Sequence, residues 1–164
     1  MLSALEQKRV WDGMLAAEIR ANYFADLCGR YQRKQRLMTW ATLLFSSGAL
    51  ATLISDWLPH TLAWIRPVLA TFTVALSLWS LTAKNERNSI DCSDLHFKWN
   101  MVGHAYEDLW DDMYSDTAPE RLRALEERTA EYSRTGTSFP NKSKLMLKWQ
   151  EHVVQHRTQA PVNP

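Results

Sequence analysis

The chain has 164 residues, and its 19 lysines and arginines nearly balance its 18 aspartates and glutamates, which leaves a net charge of +1. This balance argues against a nucleic-acid-binding protein, which would carry a clear excess of positive charge. Two long apolar segments take up much of the length, so the remainder is too short for a separate enzyme domain of ordinary size.

The first 36 residues predict an amphipathic cytosolic helix. Between Leu5 and Tyr31, apolar residues recur every four positions along one flank, which is the pattern of a helix with one buried face. No proline interrupts the sequence from Met1 to Leu58. We therefore expect this helix to continue into the apolar segment that follows, with Gly29 as a candidate bend.

Residues 37–83 predict a hairpin of two transmembrane helices. The stretches 37–55 and 67–83 contain no Asp, Glu, Lys or Arg. At a rise of about 1.5 Å per residue, the first stretch reaches about 28 Å, close to the roughly 30 Å hydrocarbon core of a bilayer. The second helix starts either near His60 or at Pro67, because a proline would kink a helix that began earlier. The alternative to a hairpin is a soluble bundle with two fully buried helices.

Aromatic and basic residues indicate the orientation of this hairpin. Tryptophans lie near the ends of both stretches, where amphipathic rings collect at the headgroups. Basic residues flank the hairpin on one side, whereas the link 56–66 carries one cation. By the positive-inside rule, we expect a multi-pass membrane protein with both termini in the cytosol. The tryptophans are Trp40, Trp57, Trp64 and Trp79, and the flanking basic residues are Arg30, Arg33, Lys34, Arg36, Lys84 and Arg87.

Residues 84–157 predict a second cytosolic region, which starts with a long helix. Its apolar residues follow alternating steps of three and four, typical of the seam of a coiled coil or an antiparallel helix pair. This seam is longer than the apolar edge of the following helix can cover, so we expect a homo-oligomer that forms through it. The seam residues are Cys92, Leu95, Trp99, Val102, Tyr106, Leu109 and Met113.

Two shorter helices complete this region. Thr117 and Glu120 have the spacing of a capping box and predict the start of the first, whose apolar edge consists of Leu122, Leu125 and Tyr132. Residues 133–140 contain Gly136 and Pro140 and are expected to form a loop. The last helix is predicted from about Asn141, with Leu145, Trp149 and Val153 as its apolar stripe, and residues 158–164 as a frayed tail.

The second apolar stretch carries candidates for lining a pore or for packing the two spans. Thr73, Ser77 and Ser80 share a helix face at steps of four and three, and Arg66 precedes them near the outer end. In a ring of hairpins they would line a polar path, and one hairpin cannot enclose a pore alone. The alternative is that Arg66 binds lipid phosphate while the hydroxyls bond to their own helix backbone.

No catalytic, metal or cofactor motif is recognisable. His152 and His156 are one helical turn apart, but the sequence places no third ligand near them. Cys28 and Cys92 both fall on the predicted cytosolic side, so we expect free thiols. We therefore predict a protein without enzyme activity, without a metal and without a cofactor.

Several segments carry a resemblance that covers nearly the whole chain: 81–87, 95–99, 106–110, 120–132 and 137–140. With the order of parts, they resemble the SLATT family, the SMODS- and SLOG-associating two-transmembrane effectors. The resemblance implies an effector of bacterial conflict systems that oligomerises and disrupts the inner membrane as a pore. It also implies a trigger from a nucleotide signal or from a nucleotide-synthesising or nucleotide-sensing partner. The alternative is a membrane-tethered adaptor that docks a cytosolic partner enzyme.

Overall fold

The chain is described by a computed structural model that covers residues 1–46, residues 85–159 and seven positions in between. These described residues form four α-helices and no strand, so the predicted all-α fold is confirmed for them. The seven positions are Val68, Thr71, Phe72, Val74, Ala75, Leu78 and Trp79. The helices are α1 (Ala4–Ser46), α2 (Asn85–Asp111), α3 (Ala118–Gly136) and α4 (Ser143–Gln159).

The chain divides into two compact units. Unit 1 consists of Met1–Leu27 and Asp91–Pro164, and unit 2 consists of Cys28–Ile90. Unit 1 therefore contains the first part of α1, most of α2, and all of α3 and α4. The candidate functional site lies in unit 1.

Helix α1 begins with a capping box that was not predicted. The backbone N–H of Ser3 donates to Glu6 Oε2 at 2.8 Å, and the backbone N–H of Glu6 donates to Ser3 Oγ at 3.4 Å. Two donors at the helix start are thus satisfied reciprocally. From there the helix runs without a break through Gly29 to Ser46, which confirms the predicted continuation as far as that residue.

The predicted seam of α2 forms the core of unit 1. Six of its seven residues are at most 3% exposed within the single chain, and Met113 is half-buried. The seam is therefore covered by the chain itself, so its length no longer indicates that a second copy is needed. The buried residues that share this core are Val10, Met14, Ala17, Ala21, Tyr23, Phe24 and Leu27 of α1, Leu122 and Leu125 of α3, and Leu145 and Val153 of α4.

A close approach of α1 to α2 depends on Gly13. A Cβ atom added at Gly13 would lie 2.6 Å from Cζ of Tyr106, whose ring is buried in the core. Such a distance is far below van der Waals contact, so any side chain at this position would displace the ring. Only glycine lets the two helices pack this closely.

The boundaries of the two shorter helices differ from prediction in detail. The capping box predicted at Thr117 and Glu120 is wrong, because Thr117 makes no side-chain cap hydrogen bond. Its backbone angles of −85° and −9° are already helical, whereas a capping residue usually has extended angles. Helix α3 extends to Gly136, into the predicted loop, and α4 begins at Ser143 rather than near Asn141.

The predicted transmembrane stretches are described only in part, as residues 37–46 and the seven isolated positions. In the part of the chain that the structure describes, no helix has both the length and the apolar character needed to cross a bilayer. The link 56–66 and the start of the second stretch lie outside the described residues. The hairpin therefore stays a prediction.

Candidate functional site

A cavity of about 420 Å³ lies in unit 1, between α1, α2, α3, the start of α4 and residues 137–142, which connect α3 to α4. This volume falls within the range of ordinary small-molecule pockets, which is roughly 300–1,000 Å³. Five of the eleven lining residues are aromatic, and three carry small neutral polar side chains. The lining residues are Arg20, Tyr23, Phe24, Trp99, Tyr132, Ser133, Gly136, Thr137, Phe139, Asn141 and Met146.

The single charged group of this lining is the guanidinium of Arg20. Its Cζ lies 4.6 Å from the ring centroid of Trp99, a cation–π distance, and its Nη1 donates to Ser133 Oγ at 3.0 Å. Among the ion pairs of the described residues, none involves Arg20. Burial lowers the pKa of Arg20, because the charged form loses solvation, but an arginine stays protonated in proteins. The cavity therefore holds a positive charge without a paired carboxylate.

The aromatic walls are held by ring contacts and by one tyrosine. Edge-to-face contacts join Tyr23 to Phe24 at 5.2 Å, Phe24 to Phe139 at 5.9 Å, and Trp99 to Tyr132 at 6.1 Å. The Tyr23 hydroxyl donates to the carbonyl of Pro140 at 3.1 Å and accepts from the backbone N–H of Lys142 at 3.3 Å. Helix α1 thus fixes the backbone that closes one side of the cavity. These contacts involve α1, α2, α3 and the connection to α4.

A second polar cluster ties α4 to α1 and α2. Arg157 donates from Nε to Glu18 Oε2 at 2.9 Å and from Nη2 to Glu107 Oε1 at 2.7 Å. Glu107 Oε2 also lies 3.1 Å from His104 Nδ1. The hydrogen bond from Arg157 lowers the pKa of Glu107, and the same bond raises the pKa of Arg157. Because the one cation of this cluster is already paired with two carboxylates, the cluster acts as a structural tie.

His96 makes a further tie between α1 and α2. Its Nδ1 lies 2.8 Å from the carbonyl oxygen of Ala21, and its Nε2 lies 3.2 Å from Nδ2 of Asn100. A carbonyl only accepts, so Nδ1 carries the proton and Nε2 accepts from the amide. Both ring nitrogens are satisfied in the neutral form, which leaves His96 no spare position for a ligand.

The residues predicted as sites meet different outcomes. Thr73, Ser77, Ser80 and Arg66 lie outside the described residues, so their predicted roles stay predictions. The described residues contain no group of three or more His, Cys, Asp and Glu that could hold a metal. Both cysteines are free thiols, with Cys28 half-buried and Cys92 buried.

Arg20 and the aromatic cavity were not predicted from the sequence. One signal was present: the residues three and four positions before and after Arg20 on α1 are Ala16, Ala17, Tyr23 and Phe24, none of them acidic. A surface arginine on a helix commonly has a carboxylate at one of these positions. An arginine with only apolar and aromatic helical neighbours therefore indicates a partly buried charge.

Comparison with known proteins gave no match, neither to a family model nor to a curated protein or a solved structure. The resemblance to the SLATT family therefore rests on the five sequence segments named above and on the order of predicted helices and spans alone.

Proposed function

We propose that this protein is a membrane-embedded effector of a bacterial conflict system. In this proposal the chain oligomerises in the inner membrane and disrupts it as a pore when a partner or a nucleotide signal triggers it. The hairpin is the active part, and unit 1 is the cytosolic part that receives the trigger. No enzyme activity is required, because the damage comes from permeability.

The observation that carries the proposal is where the chain leaves and re-enters unit 1. It leaves after Leu27 and returns at Asp91, so both flanks of the intervening segment belong to one compact unit. A folded unit stays on one side of a bilayer, so a segment that starts and ends there crosses an even number of times. Two uncharged apolar stretches in that segment fit two crossings.

Exposed apolar side chains in unit 2 support the same proposal. On α1, four large apolar residues beyond position 36 are between 56% and 70% exposed, and five of the isolated positions are between 50% and 60% exposed. Exposed apolar side chains in such number favour contact with a membrane or with another protein. These residues are Leu37, Trp40, Leu43 and Leu44, and Val68, Phe72, Val74, Leu78 and Trp79.

Two hydroxyl groups near the end of α1 are already satisfied without water. Thr39 Oγ1 donates to the carbonyl of Gln35 at 3.0 Å, and Thr42 Oγ1 donates to that of Met38 at 2.9 Å. Back-bonding of this kind lets threonine sit in an apolar environment at little cost, because no polar group is left unpaired. These two threonines are therefore compatible with lipid.

Reporter fusions test the topology. A cytosol-active reporter after Pro164 and a periplasm-active reporter at His60 should both be active, because the hairpin places these positions on opposite sides of the membrane. The two exchanged fusions serve as controls and should be inactive. A periplasmic Pro164, or a cytosolic His60 in a chain found in the membrane fraction, would contradict the hairpin.

A permeability assay tests the pore. Induced cells that make the full chain should take up a small dye, and the double variant Thr73→Val with Ser77→Leu should suppress this uptake while it leaves insertion intact. The same two types of change on exposed positions of unit 1, Thr135→Val with Ser138→Leu, form the matched control. Undiminished uptake in the first variant at equal expression would show that the second stretch does not line the conduit.

The adaptor alternative has one observation in its favour. Phe97 and Met101 lie one turn apart on α2 and are both more than half exposed, so they offer a small apolar surface on unit 1. If the protein is an adaptor, Phe97→Ser with Met101→Ser should abolish co-purification of a partner enzyme. Dye uptake that persists in this variant, with no partner lost from the purified protein, would favour the effector.

A further inference from the structure

We infer that the cavity of unit 1 is a binding site for a small anion attached to a flat apolar body, and that Arg20 is the group that pairs with the anion. The inference does not rest on the proposed function, because every residue involved belongs to unit 1 and none lies in the predicted hairpin.

The first observation is the charge of Arg20, which no carboxylate in the cavity wall compensates. A half-buried guanidinium loses hydration, and proteins normally compensate such a group with a carboxylate. Arg20 instead has the face of Trp99 and the hydroxyl of Ser133, two neutral partners. A guanidinium offers five N–H donors in a planar fork that suits carboxylate or phosphate oxygens. An incoming anion supplies the compensation that the chain itself does not.

The second observation is that the cavity wall contains no acidic side chain. None of the eleven lining residues is an aspartate or a glutamate, so no acidic side chain in the wall repels an anion. Ser133 and Asn141 add neutral groups that can donate hydrogen bonds, whereas the Thr137 hydroxyl already donates to the carbonyl of Arg134 at 2.7 Å. In contrast, the cluster around Arg157 already holds two carboxylates and leaves no charge for an anion to neutralise.

The third observation is an unsatisfied donor next to Arg20. The indole Nε1 of Trp99 is buried and has no hydrogen-bond partner among the described residues, and the same ring lies against the Arg20 guanidinium. Buried donors are nearly always paired in folded proteins. Trp99 also borders a smaller cavity beside Arg157, so the unpaired indole belongs to this part of the core rather than to one cavity alone.

The fourth observation is the aromatic surface on the rest of the cavity wall. Phe24, Tyr132 and Phe139 present aromatic surface, and Met146 adds an adaptable apolar side chain. Edge-to-face contacts hold these rings in place, so the wall is formed before any ligand arrives. An anion alone would leave this surface in contact with water. The site therefore suits a ligand with a flat apolar body.

Calorimetric titration of the purified full chain in a nonionic detergent tests the inference. The probes are phenyl phosphate and benzoate as anions, and benzyl alcohol as the neutral probe of similar size. We expect at least one anion to bind saturably and about tenfold or more tightly than benzyl alcohol, because the charge-assisted hydrogen bonds are missing for the alcohol. Preference for phenyl phosphate assigns the natural ligand to phosphate esters, and preference for benzoate assigns it to carboxylates.

Three variants locate the binding. Arg20→Met should weaken anion binding about tenfold or more, and Arg20→Lys should weaken it less, because lysine keeps the charge but loses the fork. Arg9→Met removes an exposed cation of the same helix outside the cavity and should bind as the original chain does. Circular dichroism shows whether each variant is folded, and if Arg20→Met unfolds, Arg20→Lys decides.

The inference is overturned by any of three results. These are the absence of saturable binding of both anions at millimolar concentration, equal binding of an anion and benzyl alcohol, and equal anion binding in the original chain and the folded Arg20 variants. In each case Arg20 would be a structural group satisfied by Trp99 and Ser133.

Discussion

Unit 1 and unit 2 use the same kinds of apolar side chain in opposite ways. Leu27, the last residue of unit 1 on α1, is 0% exposed, whereas Leu37, ten positions further along the same unbroken helix, is 70% exposed. The helix itself is regular at both positions, so its own geometry does not decide which side chains are buried. Burial depends on what packs against each turn, and in unit 1 that is the seam of α2.

Hydroxyl side chains behave alike in the two units. In unit 1, Thr129 Oγ1 donates to the carbonyl of Glu126 in its own helix at 2.8 Å. In unit 2, at the end of α1, Thr39 and Thr42 bond back to their own helix in the same way. Hydroxyl back-bonding therefore does not distinguish the units, whereas the burial of apolar side chains such as Leu27 and the exposure of Leu37 do.

The largest expected effect comes from the same substitution at two positions of α1. Leu27→Ala should lower the free energy of unfolding by about 2–5 kcal/mol, because it leaves a cavity in the core. Leu37→Ala should change it by no more than about 0.5 kcal/mol, because that side chain is exposed in the single chain. Chemical unfolding of both full-length variants, followed by circular dichroism, measures the two values. A similar loss at Leu37 would place that residue in a buried interface with another copy.

Glycines on the same helix give the second comparison. Gly13→Ala in unit 1 should destabilise the protein by about 1–3 kcal/mol, because the new Cβ would press on the Tyr106 ring. Gly29→Ala in unit 2 has no neighbouring atom within 4 Å, so it should stabilise the helix by up to about 1 kcal/mol. The shift in melting temperature should thus have opposite signs. Equal shifts would mean that Tyr106 moves aside freely, which a packed core does not permit.

Much of unit 1 could be predicted from the sequence because helical periodicity is a local property. The steps of three and four from Cys92 to Leu109 gave the buried face of α2 correctly. What covers that face could not be predicted, because it depends on contacts between segments far apart in the chain. The seam therefore suggested a second copy, whereas α1, α3 and α4 of the same chain supply the cover.

Residue spacing alone also does not predict whether a capping box forms. Ser3 with Glu6 and Thr117 with Glu120 have the same spacing, yet only the first pair forms a capping box. The backbone of Thr117 is already helical because a turn leads directly into α3, and that is set by the surrounding chain. A sequence pattern shows which hydrogen bonds are available, and the backbone decides which of them form.

The cavity was the least predictable feature. Arg20 and Ser133 are 113 positions apart, so no local pattern brings them together. The predicted pore residues Thr73, Ser77 and Ser80 rest instead on a helical face in a segment outside the described residues. A local pattern thus led to a prediction that stays a prediction, whereas the cavity, which depends on tertiary packing, was not predicted.

The smallest expected effect concerns the tie between α4 and the rest of unit 1. Arg157→Met removes the cation that binds Glu18 and Glu107, and it should cost about 1 kcal/mol at pH 7, because the pairs are partly exposed and screened by solvent. Arg121→Met, which removes a more exposed pair with Asp112, is the control and should cost less. Chemical unfolding at several pH values measures both.

The pH dependence separates the charge of Arg157 from the packing of its aliphatic stem. Folding lowers the pKa of Glu107 below its ordinary value of 4.5, chiefly through the hydrogen bond from Arg157. The folded protein therefore binds fewer protons at this carboxyl than the unfolded chain does, and the stabilisation is complete above pH 4.5. As the pH falls below that value, Glu107 becomes protonated, and the difference between the original chain and Arg157→Met should shrink. A difference that stays constant down to about pH 3 would instead show that Arg157 stabilises unit 1 through the packing of its methylene groups, which do not titrate.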